Sequence, residues 1–390
     1  MKVKLLFVVD GLGCGGAEKS LVSLLNAIDY SKCDVSLQMI KNTGVFMDYL
    51  PKEVVLLPEQ EYISSANSIR ALIRNPKNLL TRIRTAVSLR VCPSRLHPCQ
   101  IFWRCAKHSF SRLSGEYDCA FAWGQGTPTH FVIDNVTAKK KYAVINADYV
   151  KLGLDRSFDL RYYRKYDKVL VVSNSLRENI VGFFPEISEK IVVLYDLINA
   201  DMIRAMAQTN PYESIRGKAI LVTVGRLVEE KGYDILIDSA IILKDKGIDF
   251  TWYIIGEGPK RKDIELWINR NGLCGKVILL GLIENPYGYM LYSDIYVQTS
   301  RYEGYCLTLA EARILNKPIV TTCFAAAYDQ IQNGITGIIA EMHGESVAIA
   351  IQQLIDNEEL RSKLSYSLSK EKKGNPEEMA KFIKLIEADV

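Results

Sequence analysis

Short apolar runs and glycine-rich polar breaks alternate along the chain. Residues 4–9 are apolar, the turn Asp10-Gly11-Leu12-Gly13-Cys14-Gly15-Gly16 follows, and 17–28 carries Leu21, Leu24 and Leu25 at helical spacing. Strand, glycine turn and helix make the opening unit of a doubly wound α/β domain. Further apolar runs predict strands at 34–40, 54–57, 118–123, 141–146, 168–173 and 191–195. The polar stretch 198–212 reads as a linker, after which strands are predicted at 219–224, 251–255, 277–280, 294–297, 318–321 and 337–340, with a last helix at 376–387. The expected organisation is two doubly wound, Rossmann-like domains facing across a cleft: residues 1–198, then 199–375, with a C-terminal helix in 376–390 that can pack back on the first domain. In open parallel sheets, ligands bind beyond the carboxyl ends of the strands, so the turns placed there are the candidate sites.

The stretch from Gln298 to Pro318 is the most informative of these turns. It passes from a buried strand through Ser300-Arg301-Tyr302-Glu303-Gly304-Tyr305-Cys306 into a helix that carries Glu311. Gly304 interrupts the helix, so Glu303 and Glu311 are not two turns of one face. They would reach different parts of one ligand lying at the helix start, where unpaired backbone amides favour an anion. On spacing alone, a solvated loop acid beside an ordinary helix-surface acid accounts for the pair at least as well. Upstream, Arg226 and Lys231 bracket the turn after the 219–224 strand, where two fixed cations can hold a diphosphate. Gly11, Gly13 and Gly16 match the dinucleotide pattern G-x-G-x-x-G, but the second strand ends in Lys41-Asn42, without the acid that would hold a ribose, and this demotes a nicotinamide dinucleotide reading. Paired glycines at a helix start still let backbone approach something anionic, and a tight turn that needs glycine for sterics alone explains them equally well.

Composition narrows the class. Among 390 residues, 48% are apolar and 24% charged, as in a soluble globular protein of two ordinary domains. The first apolar run is too short for a signal-peptide core and no stretch approaches a membrane span, so a cytoplasmic location is expected. Nine scattered cysteines make no disulfide framework or zinc knuckle. The net charge of +4 is uneven: residues 1–200 carry 27 Lys and Arg against 19 Asp and Glu, and the remainder 22 against 26. The excess lies between Glu61 and Glu116, where ten Lys or Arg stand with no acid among them. Apolar residues interleave with these cations in the segment 68–112. Such a segment suits an anionic membrane surface or ligand, and a solvated basic face packed on the core suits it as well. No recognised nucleic-acid module accompanies it, so a nucleic-acid partner is not expected.

Several motifs in order resemble the GT-B glycosyltransferases, in particular the large retaining group called family four. They are Gly15-Gly16-Ala17-Glu18, Gly225-Arg226-Leu227 with Lys231-Gly232, Gly256-Glu257-Gly258-Pro259, Asn285-Pro286-Tyr287, Ser300 to Tyr305, Leu307 to Glu311, Lys317-Pro318-Ile319-Val320, Asp329-Gln330-Ile331, Asn333-Gly334 and Thr336-Gly337. The resemblance is collinear over the second half and thinner over the first. It implies that Arg226 and Lys231 bind the nucleotide diphosphate and stabilise the charge that develops as the glycosidic bond breaks. It implies that Glu303 contacts the donor sugar and Glu311 the ribose, with amides near Tyr305, Cys306 and Leu307 on the phosphates. Gly225, Gly256, Gly258, Asn285 and Gly304 would complete the donor side, and Gly15 and Gly16 would close on it from the other domain. The chain lacks a D-x-D pair, so the two cations would replace a divalent metal, and no cofactor beyond the nucleotide-sugar co-substrate, a UDP-sugar rather than a GDP-sugar, is implied.

The sequence departs from the family pattern in three places. Cys306 and Asn316 stand where many members have glycine, Asn316 being a residue that also tolerates a left-handed cap. Near Asn146-Ala147-Asp148 the usual histidine is missing, so only Asp148 can carry a catalytic role there, and His130 reads as an ordinary surface or packed residue. The expected activity is retaining transfer of a hexosyl-type sugar to a saccharide acceptor, lipid-linked, in bacterial surface polysaccharide synthesis, such as capsule or lipopolysaccharide. The enzyme would lie peripherally on the inner face of the membrane. Rival expectations are a soluble transferase acting on small acceptors and a non-catalytic GT-B protein that binds nucleotide sugar or a partner enzyme.

Overall fold

The computed structural model describes residues 2–13, 15–65, 76–91, 96–211 and 219–387. They divide into two compact units, 1–197 with 376–390 and 198–375.

In the first unit, seven strands form one parallel sheet of order β3-β2-β1-β4-β5-β6-β7. These are β1 (Val3–Val9), β2 (Cys33–Met39), β3 (Val55–Leu56), β4 (Glu116–Trp123), β5 (Thr137–Ile145), β6 (Lys168–Val171) and β7 (Ile191–Val193). In the second unit, six strands form another parallel sheet, of order β10-β9-β8-β11-β12-β13. They are β8 (Ala219–Val224), β9 (Phe250–Ile255), β10 (Val277–Gly281), β11 (Ile295–Gln298), β12 (Ile319–Thr322) and β13 (Ile338–Ala340). Every strand expected from the apolar runs is present. Their near-continuous apolar character follows from burial on both faces, as in β1, where residues 5–9 are all buried. Strand order reverses beside β1 and beside β8, which marks the carboxyl-end edges of β1/β4 and β8/β11 as the places where a ligand fits.

Helices cover both faces. The helix α1 (Gly16–Ala27) buries Leu21, Leu24 and Leu25. The helix α2 (Pro76–Val91) lies in the basic segment, and α3 (Leu307–Ile314) follows the turn that contains Glu303. The last helix, α4 (Pro376–Glu387), belongs to the first unit. Its Phe382 ring lies 6.3 Å from Phe7 and 5.3 Å from Phe121, and the Tyr142 hydroxyl donates to the Leu385 carbonyl at 3.0 Å.

One expectation needs correction. The stretch 198–212 is not a plain linker, because Ala200–Met206 is a helix that belongs to the second unit. The Asn199 side chain caps it by accepting from the Met202 amide at 3.0 Å, and Ile203 and Ala207 enter the second unit's core beside Leu309 and Met290. Two turns with a single buried stripe are too short for periodicity to register. Tyr212 lies outside the described residues.

Candidate active site

The second unit's site is built on the loops that leave β8, β9 and β11. After β8, Glu229–Lys231 forms a single 3-10 turn closed by Gly232 in the left-handed conformation, φ 63°. A Cβ at Gly232 would stand 2.1 Å from the Thr299 carbonyl oxygen, so only glycine lets this turn lie against the end of β11. The same device joins the first two loops: at φ 146° a Cβ on Gly256 would meet the Gly225 carbonyl oxygen at 1.9 Å. Gly258 likewise lies against the Leu227 backbone. These glycines therefore have a steric reason to be glycine, whatever else they contact.

The close approach brings Lys231 to Glu303. The Lys231 ammonium pairs with Glu303 Oε1, both side chains being about one-seventh exposed, at 14% and 13%. Burial by itself would lower the lysine pKa, but the Glu303 carboxylate more than offsets it and the net shift is upward. Ser300 Oγ donates to the same oxygen at 2.6 Å and Gln298 Nε2 lies 3.5 Å from it. All of the carboxylate's contacts within the described residues thus fall on Oε1, which leaves Oε2 to accept from a ligand.

Arg226 is placed differently. Its side chain is half exposed and reaches Glu230 Oε1 at 3.4 Å, while its charge opposes that of Lys231. Two neighbouring cations with one loosely held acid between them form a setting for a diphosphate.

Glu311 is not a helix-surface acid. It is 2% exposed, and its Oε1 accepts from the Tyr287 hydroxyl at 3.2 Å. The turn before α3 is fixed by Gln330, whose side-chain amide donates to the carbonyls of Tyr305 and Cys306. Gly304 is buried within it. No side chain caps the first turn of α3 at Leu307. Its N-cap, Cys306, has φ 72° and ψ 73°, a left-handed conformation that disfavours a side chain. Burial, followed by the Glu303 carboxylate, pushes its thiol up to about 12. Asn316 also adopts the left-handed conformation, φ 54°, as its place after α3 predicts. Asn285 is exposed and braces the scaffold: its Nδ2 donates to the Met206 carbonyl at 2.8 Å and its Oδ1 accepts from the Tyr287 amide at 3.2 Å.

In the first unit, Gly15 is the N-cap of α1 and Gly16 its first residue. Asp148 lies beyond β5 and is nearly buried. Its Oδ1 accepts from the amides of Val150 at 3.1 Å and Lys151 at 3.3 Å, so that oxygen shapes its own turn. His130 is a packed residue with no exposed surface, bonded through Nε2 to Asp159 Oδ1 at 2.7 Å, while the Tyr149 hydroxyl donates to Asp159 Oδ2 at 2.6 Å.

Sequence reasoning assigned no role to Asn146, Gln298, Ser300 or Tyr287. Both side-chain atoms of Asn146 are buried without a hydrogen-bond partner, an uncommon state for an amide at the ligand edge of a sheet. Gln298 had one visible signal, a polar residue ending a buried strand.

Residues 207–371 match the family model for glycosyl transferases group 1, which spans nearly all of the second unit. The chain resembles the alpha-D-kanosaminyltransferase of Streptomyces kanamyceticus, 28% identical over 170 residues, which are 43% of this chain and 44% of that protein. It also resembles the capsular polysaccharide biosynthesis glycosyltransferase CapM of Staphylococcus aureus, 27% identical over 212 residues, 51% and 55% of the two chains. The chain spans about half the length of the curated relatives it matches. Among solved structures, Anabaena HepE in complex with UDP superimposes with a TM-score of 0.66 over 94% of this chain and 93% of that one, at 16% identity. S. aureus TarM does so with 0.70 over 99% and 100%, also at 16% identity. The fold is therefore GT-B, and the Lys231–Glu303 pair lies within the residues that match the group 1 model.

Proposed function

We propose that the protein is a retaining glycosyltransferase that moves a hexosyl-type sugar from a UDP-sugar to a saccharide acceptor. The observation that carries this reading is the Lys231–Glu303 pair, at the carboxyl edge of the unit that matches the group 1 model, held through one carboxylate oxygen. Arg226 and Lys231 would hold the diphosphate and neutralise the leaving group as the glycosidic bond lengthens, without a metal. Glu303 Oε2 would accept from sugar hydroxyls, and Glu311 with Tyr287 would receive the ribose. The leaving phosphate oxygen would accept the proton of the attacking acceptor on the same face, so configuration is retained and neither acid forms a covalent bond. UDP in the HepE complex supports the choice of nucleotide.

A lipid-linked acceptor, surface polysaccharide synthesis and attachment to the inner face of a membrane belong to the same proposal. One relative is named for transfer to a diphospho-undecaprenol-linked saccharide in Campylobacter jejuni, 28% identical over 201 residues. Helix α2 supports the membrane part. Its polar side faces the protein: Asn78 and Thr85 are buried, and Thr81 and Ser88 meet Ser109 and Cys105. Its apolar side faces outward, with Leu80, Ile83 and Val87 at 69%, 53% and 52% exposed and Lys77, Arg84 and Arg90 around them. An apolar stripe flanked by cations suits anionic lipid. Arg70, Arg74 and Arg95 of the segment lie outside the described residues, and no described helix is long and apolar enough to cross a membrane.

Calorimetry with UDP, GDP and ADP, followed by UDP release from a panel of the matching sugar nucleotides with lipid-linked and soluble saccharides, tests the reading. Tight UDP binding with acceptor-dependent release is expected, and binding of none of the three would end it. A second reading, nucleotide-sugar binding without transfer, is favoured by the commitment of one Asp148 oxygen to its own turn and by the lack of the family's usual histidine in the sequence around Asn146. It predicts UDP binding with no turnover on any acceptor.

A further inference from the structure

The carboxylate of Glu303 ends a chain of buried hydrogen bonds that starts in the middle of the sheet. The Tyr296 hydroxyl donates to Gln298 Oε1 at 2.5 Å, Gln298 Nε2 donates to Ser300 Oγ at 2.7 Å, and Ser300 Oγ donates to Glu303 Oε1 at 2.6 Å. Tyr296, Gln298 and Ser300 are each at most 1% exposed. Burial pushes the Tyr296 phenol well above its usual pKa, which keeps it a donor.

The direction of the chain follows from its ends. A carboxylate only accepts, so Ser300 must donate to it, and the other partner of Ser300 must then be a donor. The side chain of Gln298 supplies an N–H at that end and an acceptor for the phenol at the other. A carboxylate, a methionine or a leucine in its place would break the sequence of donors. Gln298 Oε1 also accepts from Thr308 Oγ1 at 3.3 Å, and Thr308 is in the first turn of α3. One amide therefore holds both the acid that faces the sugar and the helix turn that faces the phosphates.

We propose that Gln298 is a positioning residue that, through Ser300, orients the Glu303 carboxylate for the donor sugar and keeps it in register with the start of α3. This rests on the donor-site reading of Glu303 given above. The interaction acts on geometry at the reacting sugar, so its loss should fall on turnover more than on donor affinity.

Donor turnover can be followed as UDP release from UDP-glucose or UDP-N-acetylglucosamine, whichever the wild-type protein accepts, in Gln298→Met, Ser300→Ala and Thr308→Ala. Gln298→Met is expected to lower kcat by about 10- to 100-fold with KM for the donor changed by less than about threefold, the scale of a small misplacement of a catalytic group. UDP affinity by calorimetry should stay within about twofold, since UDP lacks the sugar. Ser300→Ala, a smaller change that also controls for folding, should reproduce the loss, and combining it with Gln298→Met should add little, as for residues acting in one network. In a Glu303→Gln background, Gln298→Met should cost less than about twofold. Wild-type kcat in both single variants, or an undiminished cost in the Glu303→Gln background, overturns the inference. Full turnover in Glu303→Gln alone would instead overturn the donor-site reading itself.

Discussion

Glu303 and Asp148 occupy comparable places, each a few residues past the carboxyl end of a strand in a parallel sheet, and each is held through one oxygen by a different kind of partner. Glu303 is gripped on one oxygen by a lysine and a serine that reach it from elsewhere in the site. Asp148 bonds with the backbone amides that follow it and shapes a turn. The difference lies in what surrounds each acid. In the second unit, glycine turns press the β8 and β11 loops together until a cation reaches the acid. The first unit instead keeps a hydrogen-bonded polar pair, His130 and Asp159, away from solvent, with Tyr149 as a third partner. An acid at the ligand edge is oriented across loops where a side chain from another loop reaches it, and within its own turn where the following amides do.

The comparison breaks most clearly through the second unit. Glu303→Ala and Lys231→Ala are each expected to cut kcat/KM by at least about 100-fold, near the 3 kcal/mol of a lost preorganised charge contact. Asp148→Asn keeps the oxygen that shapes the turn and should cost less than about tenfold, below the roughly 100-fold at which the range for acid–base groups begins. A loss as large as that of Glu303→Ala would put essential chemistry in the first unit too.

The first unit's buried pair should appear in stability. His130→Ala leaves Asp159 buried without its ring partner and is expected to cost about 3 kcal/mol in urea denaturation. UDP affinity of the folded protein should not change, and a parallel loss of UDP affinity would deny that the pair is purely structural. At the start of α3, Cys306→Val puts a branched side chain in the left-handed region and should cost about 1–2 kcal/mol, whereas Cys306→Gly should be nearly neutral, strain relief offsetting lost packing and chain entropy. The smallest effect on stability belongs to α2: Leu80→Asp should change it by less than about 0.5 kcal/mol, as for an exposed surface site. The same variant should lose sedimentation with phosphatidylglycerol vesicles at low salt, and unaltered sedimentation would remove α2 as the membrane contact.

The sequence made the sheets legible because strands buried on both faces are continuous apolar runs, and β8, Ala219–Val224, coincides with its run. Glu303 and Lys231 were legible through motifs that keep their order. Pairwise facts were not. Nothing in the spacing of Glu311 says that it faces Tyr287 in the core, and nothing in Asp148 says that the amides two and three residues on will claim one of its oxygens. Gln298 sits inside the stretch that drew notice first, yet its role depends on Thr308 and Ser300 arriving from different directions. The outward apolar side of α2 was legible as a mixture of cations and apolar residues, but not as a helix turned inside out, because composition does not say which side meets the protein.

The return of α4 to the first unit bears on how the chain is made. Phe382 stacks on Phe7 and closes over Phe121, so the aromatic centre of the first sheet lacks one wall until the last helix is synthesised. All of residues 198–375 leaves the ribosome before that wall exists, and domains fold as their residues emerge. The second unit is therefore complete first, and the half that began synthesis earlier finishes later. A nascent chain halted before Pro376 would already contain the Lys231–Glu303 pair while its first sheet still exposed an aromatic face to chaperones and proteases.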